Sequence, residues 1–520
     1  MQHAENLSRA PEGARQPSQP LLIVRGRPAN PWLVLVALMF GLFMSLLDIT
    51  IVNIALPNII SKLNTNLTMA TWVLNAYSLV FAVLLVTLGR FADQFGRKLI
   101  FMCGMVIFSA GSLLCALSPS IEWLIGFRAF QAIGAASLNS VSLAIIMAIF
   151  PPRQRGAAIG IWGASSGIAS AVGPVLGGFL VQNFDWRWIF FVNLPFCLIG
   201  IVMVALFVPE TRQIGTSKRI DLPGLLTMSA AMLCLVLGIM QGNAWGWLSA
   251  PILALFAASL VSLLLFFIVE TRQAEPIVDF SLFKIRDFVS ANISMFLFGV
   301  AIQGAFLIMV LYFINDRGYD QLGAAYAILP IPLASFVTSI FSGIFSRRLN
   351  QRVMGFLGLV LLSLGLGLLY TLTPDASYLD TAWRSVLIGV GMGLCFQNFP
   401  NFALAGVPRA KLGVGSGVFN TFRQIGFTLG VAVLIAVFTN QVQANVDLAR
   451  IHSVQFAQSD TRLPPQLRDG IANGLRQAKT DANSSGQAPN ANSFDLTRLA
   501  DRIPGPAGQA LKPELQSLQN

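Results

Sequence analysis

Long apolar stretches joined by short polar connections fill the chain between residues 31 and 439. Each stretch is long enough to cross a bilayer core of about 30 Å as a helix that rises about 1.5 Å per residue. The pattern therefore predicts an all-α polytopic membrane protein with thirteen spans visible in the sequence. The predicted spans are 31–57, 70–92, 99–118, 121–149, 156–182, 187–208, 221–242, 248–270, 288–314, 321–346, 353–373, 382–406 and 413–439.

The two ends of the chain lack this pattern. Residues 1–30 are rich in Pro, Gln and Arg, and we predict that they are mostly disordered. Residues 440–520 are polar and rich in Asn, Gln, Ser and Pro, with two segments, 465–479 and 494–503, that suit short amphipathic helices. Because the number of predicted spans is odd, the two ends are expected on opposite sides of the membrane.

Composition supports the membrane assignment and excludes several classes of function. Charged residues make up 11% of the chain, against about 25% in soluble proteins. The basic residues behind the net charge of +11 sit in short connections, so membrane topology explains them better than nucleic-acid binding. The cysteines lack metal-ligand spacing, and the Gly-rich strings lie inside predicted spans rather than between a strand and a helix. We therefore expect no metal site, no cofactor and no enzyme chemistry.

Lys and Arg are distributed unevenly between the two sides of the predicted topology. With the N-terminus inside, twenty of them lie in inner segments and four in outer loops. The positive-inside rule then places the N-terminus in the cytoplasm and residues 440–520 outside.

One carboxylate lies deep in the first predicted span. Asp48 is nine residues before Pro57, or about 13 Å below the outer edge, where an aspartate costs about 2.5–3.5 kcal/mol even on lenient insertion scales. Arg128 lies at a similar depth, roughly 10 Å below the same edge in the fourth span, so the two can pair. A carboxylate that gains and loses a proton inside the membrane suits proton coupling, with Arg128 displacing the proton when the two meet. A fixed structural ion pair is the alternative.

The connection after the second span combines turn residues with charges. Gly89 and Gly96 permit a tight turn, and Asp93 lies among cations, including Arg97 and Lys98, that can bridge helix ends. This arrangement suits a cytoplasmic gate that opens and closes. An ordinary basic inner loop is the alternative.

The fifth predicted span is rich in small residues. Gly167, Gly173, Gly177 and Gly178 allow close helix packing, and Pro174 removes a backbone donor and favours a bend. Small residues alone indicate packing only.

Taken together, these segments resemble, in order and spacing, the fourteen-span drug:proton antiporters of the major facilitator superfamily. The resemblance covers residues 31 to 439 and implies two helical bundles that flank two extra central helices, with alternating access between the bundles. It also implies that Asp48 and Arg128 take part in proton coupling and that the fifth-span motif marks export. The implied division is a disordered cytoplasmic N-terminus (1–30), an N-terminal six-helix bundle (31–208), a linker with two extra transmembrane helices (209–286), a C-terminal bundle with five visible spans (287–439) and a polar extracytoplasmic tail (440–520).

The chain departs from the family in four places. Ala132 occupies a position that is usually glycine, and the connection after the tenth span, 343–352, lacks the aspartate of the first gating loop. No carboxylate lies deep in the second bundle, which puts divalent cations in doubt as substrates and leaves monovalent lipophilic cations or neutral compounds. The fourteenth span is missing. Truncation before it is the favoured explanation, and a genuine outward-facing tail is the alternative.

Polar residues within the spans mark a candidate substrate cavity. Hydrogen bonding between helices is the alternative role, and it is somewhat more plausible for the three positions of the twelfth span, Gln397, Asn398 and Asn401. An arginine as deep as Arg423 indicates function by default. The candidates are Asn53, Asn139, Gln303, Gln397, Asn398, Asn401, Asn420, Arg423 and Gln424.

We therefore expect a proton-coupled antiporter that exports lipophilic drugs or toxic compounds across the bacterial cytoplasmic (inner) membrane. Its expected partners are a lipophilic small molecule, protons and membrane lipid, without nucleic acid, and a periplasmic adaptor is left open. A dedicated exporter of a single metabolite or antibiotic is the alternative, since sequence hardly separates broad from narrow pockets. A non-transporting sensor on the same fold is a further alternative, which the intact gating loop disfavours.

Overall fold

The computed structural model describes residues 23–24, 27–28, 30–211, 221–273, 278–313, 317–319, 321–346, 348, 350–372 and 376–459. Within these residues the fold is almost entirely helical, as the apolar pattern predicts. The predictions for residues 1–22 and for the amphipathic segments 465–479 and 494–503 lie outside the described residues.

The described elements are one two-stranded antiparallel sheet, fifteen α-helices and two short 3-10 helices. The strands are β1 (Ile23–Val24) and β2 (Arg27–Pro28), and the 3-10 helices are Phe280–Lys284 and Arg409–Lys411. The α-helices are α1 (Pro31–Lys62), α2 (Leu67–Phe95), α3 (Arg97–Ala116), α4 (Ile121–Ile149), α5 (Pro152–Asn183), α6 (Trp188–Phe191), α7 (Asn193–Phe207), α8 (Leu222–Trp245), α9 (Ala250–Arg272), α10 (Arg286–Leu311), α11 (Gln321–Ile328), α12 (Pro330–Phe345), α13 (Gln351–Leu369), α14 (Tyr378–Ala405) and α15 (Leu412–Ser459).

Eleven helical segments among the described residues are long and apolar enough to cross a membrane. They coincide with eleven of the thirteen predicted spans; α6 and α7 together form the sixth, and the tenth combines the end of α11 with α12. The other two predicted spans, 288–314 and 413–439, fall largely in α10 and α15, which are helical but are not among the eleven. The all-helical membrane class is confirmed, whereas the counts of thirteen and fourteen spans stay predictions.

Polar caps mark where several helices begin. The side chain of Asn30 accepts a hydrogen bond from the backbone N–H of Trp32 at 3.0 Å, and that of Asp221 accepts one from Gly224 at 2.9 Å. The first N–H groups of a helix have no partner within the helix, so these side chains satisfy groups that lipid would leave unpaired.

The sixth predicted span is interrupted after its first turn. α6 ends at Phe191 and α7 begins at Asn193. Pro195 lacks a backbone N–H, and its ring crowds the carbonyl of the residue four positions earlier, which is Phe191. The break sets Asn193 at the start of α7, against α1.

Two helices are the most deeply buried of the candidate spans, α4 and α14. α4 packs against α2 and α3, and α14 packs against α12 and α13. α5 contacts α1 and also α12 and α14, while α8 packs chiefly against α9. The predicted boundaries between the bundles stay a prediction.

The last described helix extends well beyond the predicted thirteenth span. The apolar pattern predicts that this span ends at residue 439, but α15 continues to Ser459. No Gly or Pro occurs between Val431 and Ser459, so nothing in this stretch favours a helix end. By internal contacts the chain divides into two units, Met1–Ala432 and Val433–Asn520.

Candidate functional site

The carboxylate of Asp48 in α1 is fully buried and surrounded by hydrogen-bond donors. Arg128 of α4 forms a salt bridge to it from Nη1 to Oδ2. Gln131 of α4 donates from Nε2 to Oδ1 at 3.1 Å, and Asn193 of α7 donates from Nδ2 to the same oxygen at 3.3 Å. The structure thus brings Asp48 and Arg128 together, and every described partner is a donor, as suits an ionised carboxylate.

The guanidinium of Arg128 is held from three further sides. Its Nη1 donates to Gln131 Oε1 at 2.7 Å, and its Nε donates to the carbonyl of Val73 at 3.3 Å. Its Cζ lies 4.1 Å from the ring centroid of Tyr77. Removing one partner of a buried ion pair typically costs about 3–5 kcal/mol, so any process that opens this pair must provide a substitute for each charge.

Four residues of this site were missed by sequence reasoning: Gln131, Asn193, Tyr77 and Ser112. Ser112 Oγ accepts hydrogen bonds from Gln131 Nε2 at 3.1 Å and from Asn193 Nδ2 at 2.8 Å, so it orients both amides toward Asp48. The only signal in the sequence was a polar side chain inside an apolar span. Such a side chain does not reveal which neighbouring helix it faces.

A second polar cluster joins α2 and α3 to the start of α15. Asp93 Oδ1 accepts hydrogen bonds from Arg97 Nη2 at 2.8 Å and from the backbone N–H of Gly413 at 3.0 Å, and Oδ2 accepts one from Val414 N–H at 3.0 Å. Arg97 Nη2 also donates to the carbonyl of Arg409 at 2.6 Å. A carboxylate at the first N–H groups of a helix is a favourable arrangement. We call these five residues the α2–α15 latch.

The predicted glycine positions of the gating loop allow this close approach. A Cβ at Gly89 would collide with the backbone carbonyl of Gly413. Gly96 has a φ of 120°, which favours glycine, and a Cβ there would lie 2.7 Å from the carboxylate of Glu210. Lys98 lies in the first turn of α3, and its Nζ donates to the carbonyl of Ala205 at 3.0 Å.

Glu210 is a further residue that sequence reasoning missed. Its carboxylate accepts hydrogen bonds from the backbone N–H of Lys98 at 3.2 Å and of Leu99 at 3.3 Å. These N–H groups belong to the first turn of α3, so Glu210 fastens the segment after α7 to the helix that follows Gly96.

The Gly-rich segment of α5 lies against the helix that carries Asp48. A Cβ at Gly173 would collide with Thr50 of α1, and one at Gly177 would lie 2.9 Å from Ile51 Cγ1. Thr50 Oγ1 donates to the carbonyl of Ala169 at 3.1 Å. Gly178 is buried and Pro174 is half-buried within a helix that continues through both of them.

Another part of α5 lies against α12. A Cβ at Gly167 would lie 2.9 Å from the carbonyl oxygen of Pro332, and one at Gly160 would lie 2.6 Å from that of Ser339. Ser339 Oγ donates to the carbonyl of Gly160 at 3.0 Å. α5 therefore connects the helix of the buried ion pair with α12.

Three of the predicted cavity residues form one cluster. Arg423 Nη2 donates to Asn139 Oδ1 at 3.4 Å, and Asn420 Nδ2 donates to the backbone carbonyl of Asn139 at 3.4 Å. Asn139 Nδ2 in turn donates at 3.0 Å to Ser45 Oγ, in the same helix as Asp48. This cluster joins α15, α4 and α1.

Two other predicted cavity residues bind neighbouring helices instead. Ser342 of α12 donates to Gln397 Oε1 at 3.0 Å and accepts from Asn398 Nδ2 at 3.0 Å. Gln397 Nε2 also donates to the carbonyl of Gly156 in α5 at 3.5 Å. These contacts fit the alternative role, hydrogen bonding between helices.

The remaining four candidates are not brought into either cluster by hydrogen bonds. Asn53 is exposed and donates to the carbonyl of Ile49 in its own helix at 3.0 Å. Asn401 is buried, whereas Gln303 and Gln424 are half-buried, and their side chains form no hydrogen bond with the residues that the structure describes.

A mostly apolar recess of about 480 Å³ lies between α12 and α14. None of the predicted cavity residues lines it, so we do not assign it to a substrate. Its lining residues are Pro330, Leu333, Ala334, Val337, Thr338, Val386 and Val390.

An ion pair holds the connection before α15. Lys411 Nζ donates to Asp279 Oδ2. Burial by itself would raise the pKa of Asp279, but hydrogen bonds from Lys411 and Ser281 outweigh it and lower that pKa from 3.8 to about 2. Asp279 is therefore ionised throughout the physiological pH range.

Comparison with known proteins gives consistent results. The family model described as Major Facilitator Superfamily matches residues 38–431. The multidrug resistance protein Stp of Mycobacterium tuberculosis (strain CDC 1551 / Oshkosh) is 34% identical over 416 residues, which cover 80% of this chain and 77% of the relative. The tetracenomycin C resistance and export protein of Streptomyces glaucescens is 30% identical over 419 residues, which cover 81% of this chain and 77% of the relative.

A solved structure also has the same fold. The crystal structure of the human organic anion transporter MFSD10 (TETRAN) matches with a TM-score of 0.59 and 15% identity, over 78% of this chain and 92% of that chain. At this identity the likeness shows the fold alone. The resemblance inferred from the motifs is confirmed.

Proposed function

The chain belongs to the major facilitator superfamily, and we propose that it is a proton-coupled antiporter that exports lipophilic compounds by alternating access. The observation that carries the proposal is the buried Asp48 carboxylate with its three donors from α4 and α7. A carboxylate is costly to place inside a membrane domain, so its presence there indicates a function. Proton relay is a common function of such residues.

Contacts at the predicted cytoplasmic end support a conformation that is closed on that side. The α2–α15 latch joins Asp93 to Gly413, and Ser339 joins α12 to Gly160 of α5. The opposite conformation requires both contacts to break. This fits a carrier in which two helix groups separate alternately at either end.

Proton binding acts on this equilibrium through Asp48. A proton that enters from outside neutralises the carboxylate and removes its attraction for Arg128, so α1 and α4 are free to move relative to each other. Thr50 and Ile51, which follow Asp48 on α1, contact the glycines of α5, and α5 also contacts α12. A shift of α1 is thereby transmitted to the cytoplasmic contacts. Loss of the proton accompanies loading of the exported compound.

The proposed location is the bacterial cytoplasmic membrane, with the N-terminus in the cytoplasm and residues 440–520 outside. The excess of Lys and Arg in the predicted inner segments supports this orientation. The proposed partners are a lipophilic small molecule and protons.

A dedicated exporter of one antibiotic is the second candidate. One relative is named for resistance to and export of tetracenomycin C, whereas another is named for multidrug resistance. Export assays with a panel of unrelated compounds separate the two candidates, because a dedicated exporter moves one chemical scaffold.

Efflux from energised bacterial cells tests the proposal. The cells express the full chain, the Asp48→Asn variant or the Asp287→Asn variant, and are loaded with anionic, neutral or cationic dyes in turn. Asp287 is a matched control because it forms a surface pair with Arg352 at 2.7 Å. We expect export by the parent and by Asp287→Asn, and none by Asp48→Asn or after addition of a protonophore. Normal efflux by Asp48→Asn, at equal abundance in the membrane, contradicts proton coupling through this residue.

A further inference from the structure

We propose that the guanidinium of Arg423 binds the anionic group of the exported compound, so that this transporter prefers lipophilic acids to lipophilic cations. The proposal rests on the proposed export function and adds a substrate class to it. Arg423 lies in α15 and is 4% exposed.

The charge of Arg423 is not neutralised by any residue that the structure describes. None of the five described ion pairs includes it. Asp48 is occupied by Arg128, Gln131 and Asn193. The sequence between 288 and 446 has four acidic residues: Asp380 lies in the first turn of α14, and the three at positions 316, 320 and 375 fall outside the described residues. Among the described residues, Arg128 has the buried carboxylate of Asp48 as its partner, and Arg423 has no such carboxylate.

Most hydrogen-bond donors of Arg423 have no acceptor among the residues that the structure describes. A guanidinium carries five N–H donors. The one described hydrogen bond runs from Nη2 to Asn139 Oδ1 and is long, at 3.4 Å, while Nε is buried without an acceptor. A buried donor without a partner is costly, so the site is suited to an acceptor that comes from outside the chain.

The surroundings of Arg423 offer both an aromatic wall and further polar groups. Its Cζ lies 5.6 Å from the ring centroid of Trp162, and that ring is held by a hydrogen bond from Nε1 to Ser142 Oγ at 3.1 Å. Asn420 and Ser416 share a face of α15 with Arg423, three and seven residues before it, and the buried Ser416 Oγ and Asn420 Oδ1 also lack described partners. The unsatisfied groups extend over about 10 Å of helix.

These features select an amphiphilic acid. A carboxylate or sulfonate accepts two N–H bonds from one guanidinium in a planar arrangement. An aromatic or aliphatic body can lie along Trp162. A lipophilic cation meets uncompensated positive charge at the same place and finds no free carboxylate among the described residues of the interior. Lipophilic cations are compatible with the sequence, but Arg423, which has no acidic partner among the described residues, argues against them.

Binding of two probes that share a fluorophore and differ in charge tests the proposal. The full chain is placed in lipid nanodiscs in a gluconate buffer and titrated with dansylglycine, an anion, and with dansylcadaverine, a cation. We expect the parent protein to bind the anion at least about tenfold more tightly. Arg423→Gln is expected to weaken anion binding by about ten- to hundredfold, the range of a charge-assisted hydrogen bond, and to leave cation binding unchanged or stronger.

Two further variants control for the charge of residue 423 and for loss of a positive charge elsewhere in the chain. Arg423→Lys keeps the charge and should retain part of the anion affinity, while Arg286→Gln removes the same charge at an exposed position and should bind as the parent does. The comparison of the two probes on the parent protein needs no substitution, so it holds even if Arg423→Gln folds poorly.

The proposal is overturned if the parent does not bind dansylglycine, if it binds the cation more tightly, or if a folded Arg423→Gln protein has unchanged anion affinity. Displacement of dansylglycine by millimolar chloride identifies a small inorganic anion as the occupant and also overturns it. None of these results depends on transport. If the protein exports cationic dyes and this export requires Asp48, the anion preference is refuted and the export function is supported. If the protein binds the anion but exports no dye, the anion preference is supported and the export function is refuted.

Discussion

The α2–α15 latch leads to a quantitative prediction for Asp93→Asn. Asp93 accepts two hydrogen bonds from Arg97 and one each from the backbone N–H of Gly413 and Val414. Asparagine keeps one acceptor oxygen and loses the charge. With that oxygen in the place of Oδ1, the bond from Val414 is replaced by two N–H groups that face each other, and the three remaining bonds are no longer charge-assisted on the acceptor side. Each charge-assisted bond contributes about 1.5–3 kcal/mol, and neighbouring bonds are not additive, so we take about 2–4 kcal/mol. This corresponds to a shift of roughly 30- to 700-fold toward the conformation open at the cytoplasmic end.

A cysteine at Ser339 reports on this opening. The Ser339 side chain is fully buried at the contact of α12 with Gly160 of α5, and Ser→Cys changes its volume little. The reporter is placed in a chain without the five native cysteines and labelled with a membrane-impermeant maleimide in inside-out vesicles. We expect Asp93→Asn to increase the labelling rate by a factor within the range above.

The matched control is Asp287→Asn, which makes the same chemical change in a surface pair whose partner Arg352 has a 70% exposed side chain. Exposed pairs contribute about 0–1 kcal/mol, so labelling should stay near the parent rate. An unchanged rate in a folded Asp93→Asn protein would refute the latch as the element that holds the cytoplasmic end closed.

Three further predictions concern the buried ion pair of Arg128, the close approach at Gly89 and the ion pair of Asp279. Arg128→Gln leaves Asp48 buried without its cation and should abolish efflux and lower the melting temperature of the purified protein, whereas Arg187→Gln, in a half-exposed pair, should do neither. Gly89→Ala places a methyl group against a backbone carbonyl and should increase reporter labelling, whereas Gly126→Ala, with nothing within 4 Å of its Cβ, should not; equal rates would count against the close approach. Because the pKa of Asp279 is lowered from 3.8 to about 2, its contribution to stability is present above about pH 4 and is lost as the pH falls toward 2. The difference in melting temperature between the parent and Asp279→Asn should therefore be constant from about pH 5 to 8 and shrink below about pH 4; a difference that changes near neutral pH would contradict the assignment.

The helices could be predicted from the sequence because lipid and water separate residues by polarity along the chain. An apolar stretch of sufficient length must form a helix to satisfy its backbone in a bilayer, whatever its neighbours are. The end of α15 at Ser459 could not be predicted in this way, because the apolar stretch ends at residue 439 while the following polar residues still favour a helix. The break before Asn193 is explained by Pro195. The hydrogen bond from Asn193 to Asp48 cannot be inferred from that proline.

The sequence also predicts similar depths for Asp48 and Arg128, since rise per residue converts position into depth. Depth does not give the direction in which a side chain points, because the rotation of each helix is set by packing against its neighbours. For this reason, only the tertiary structure shows that Gln131 and Asn193 donate hydrogen bonds to Asp48 and that Ser112 orients both. Glu210 was missed for the same reason.

The sequence by itself determined the membrane class, the order of the helices, the family and the deep charges. Only the tertiary structure decided which charges are paired. Asp48 and Arg128 neutralise each other, whereas the partners of Arg423 in the described part of the chain, at comparable burial, are the amide oxygen of Asn139 and the ring of Trp162. The physical reason is that the cost of a buried charge depends on its partners within a few ångströms, and packing brings those partners from helices that are distant in the chain.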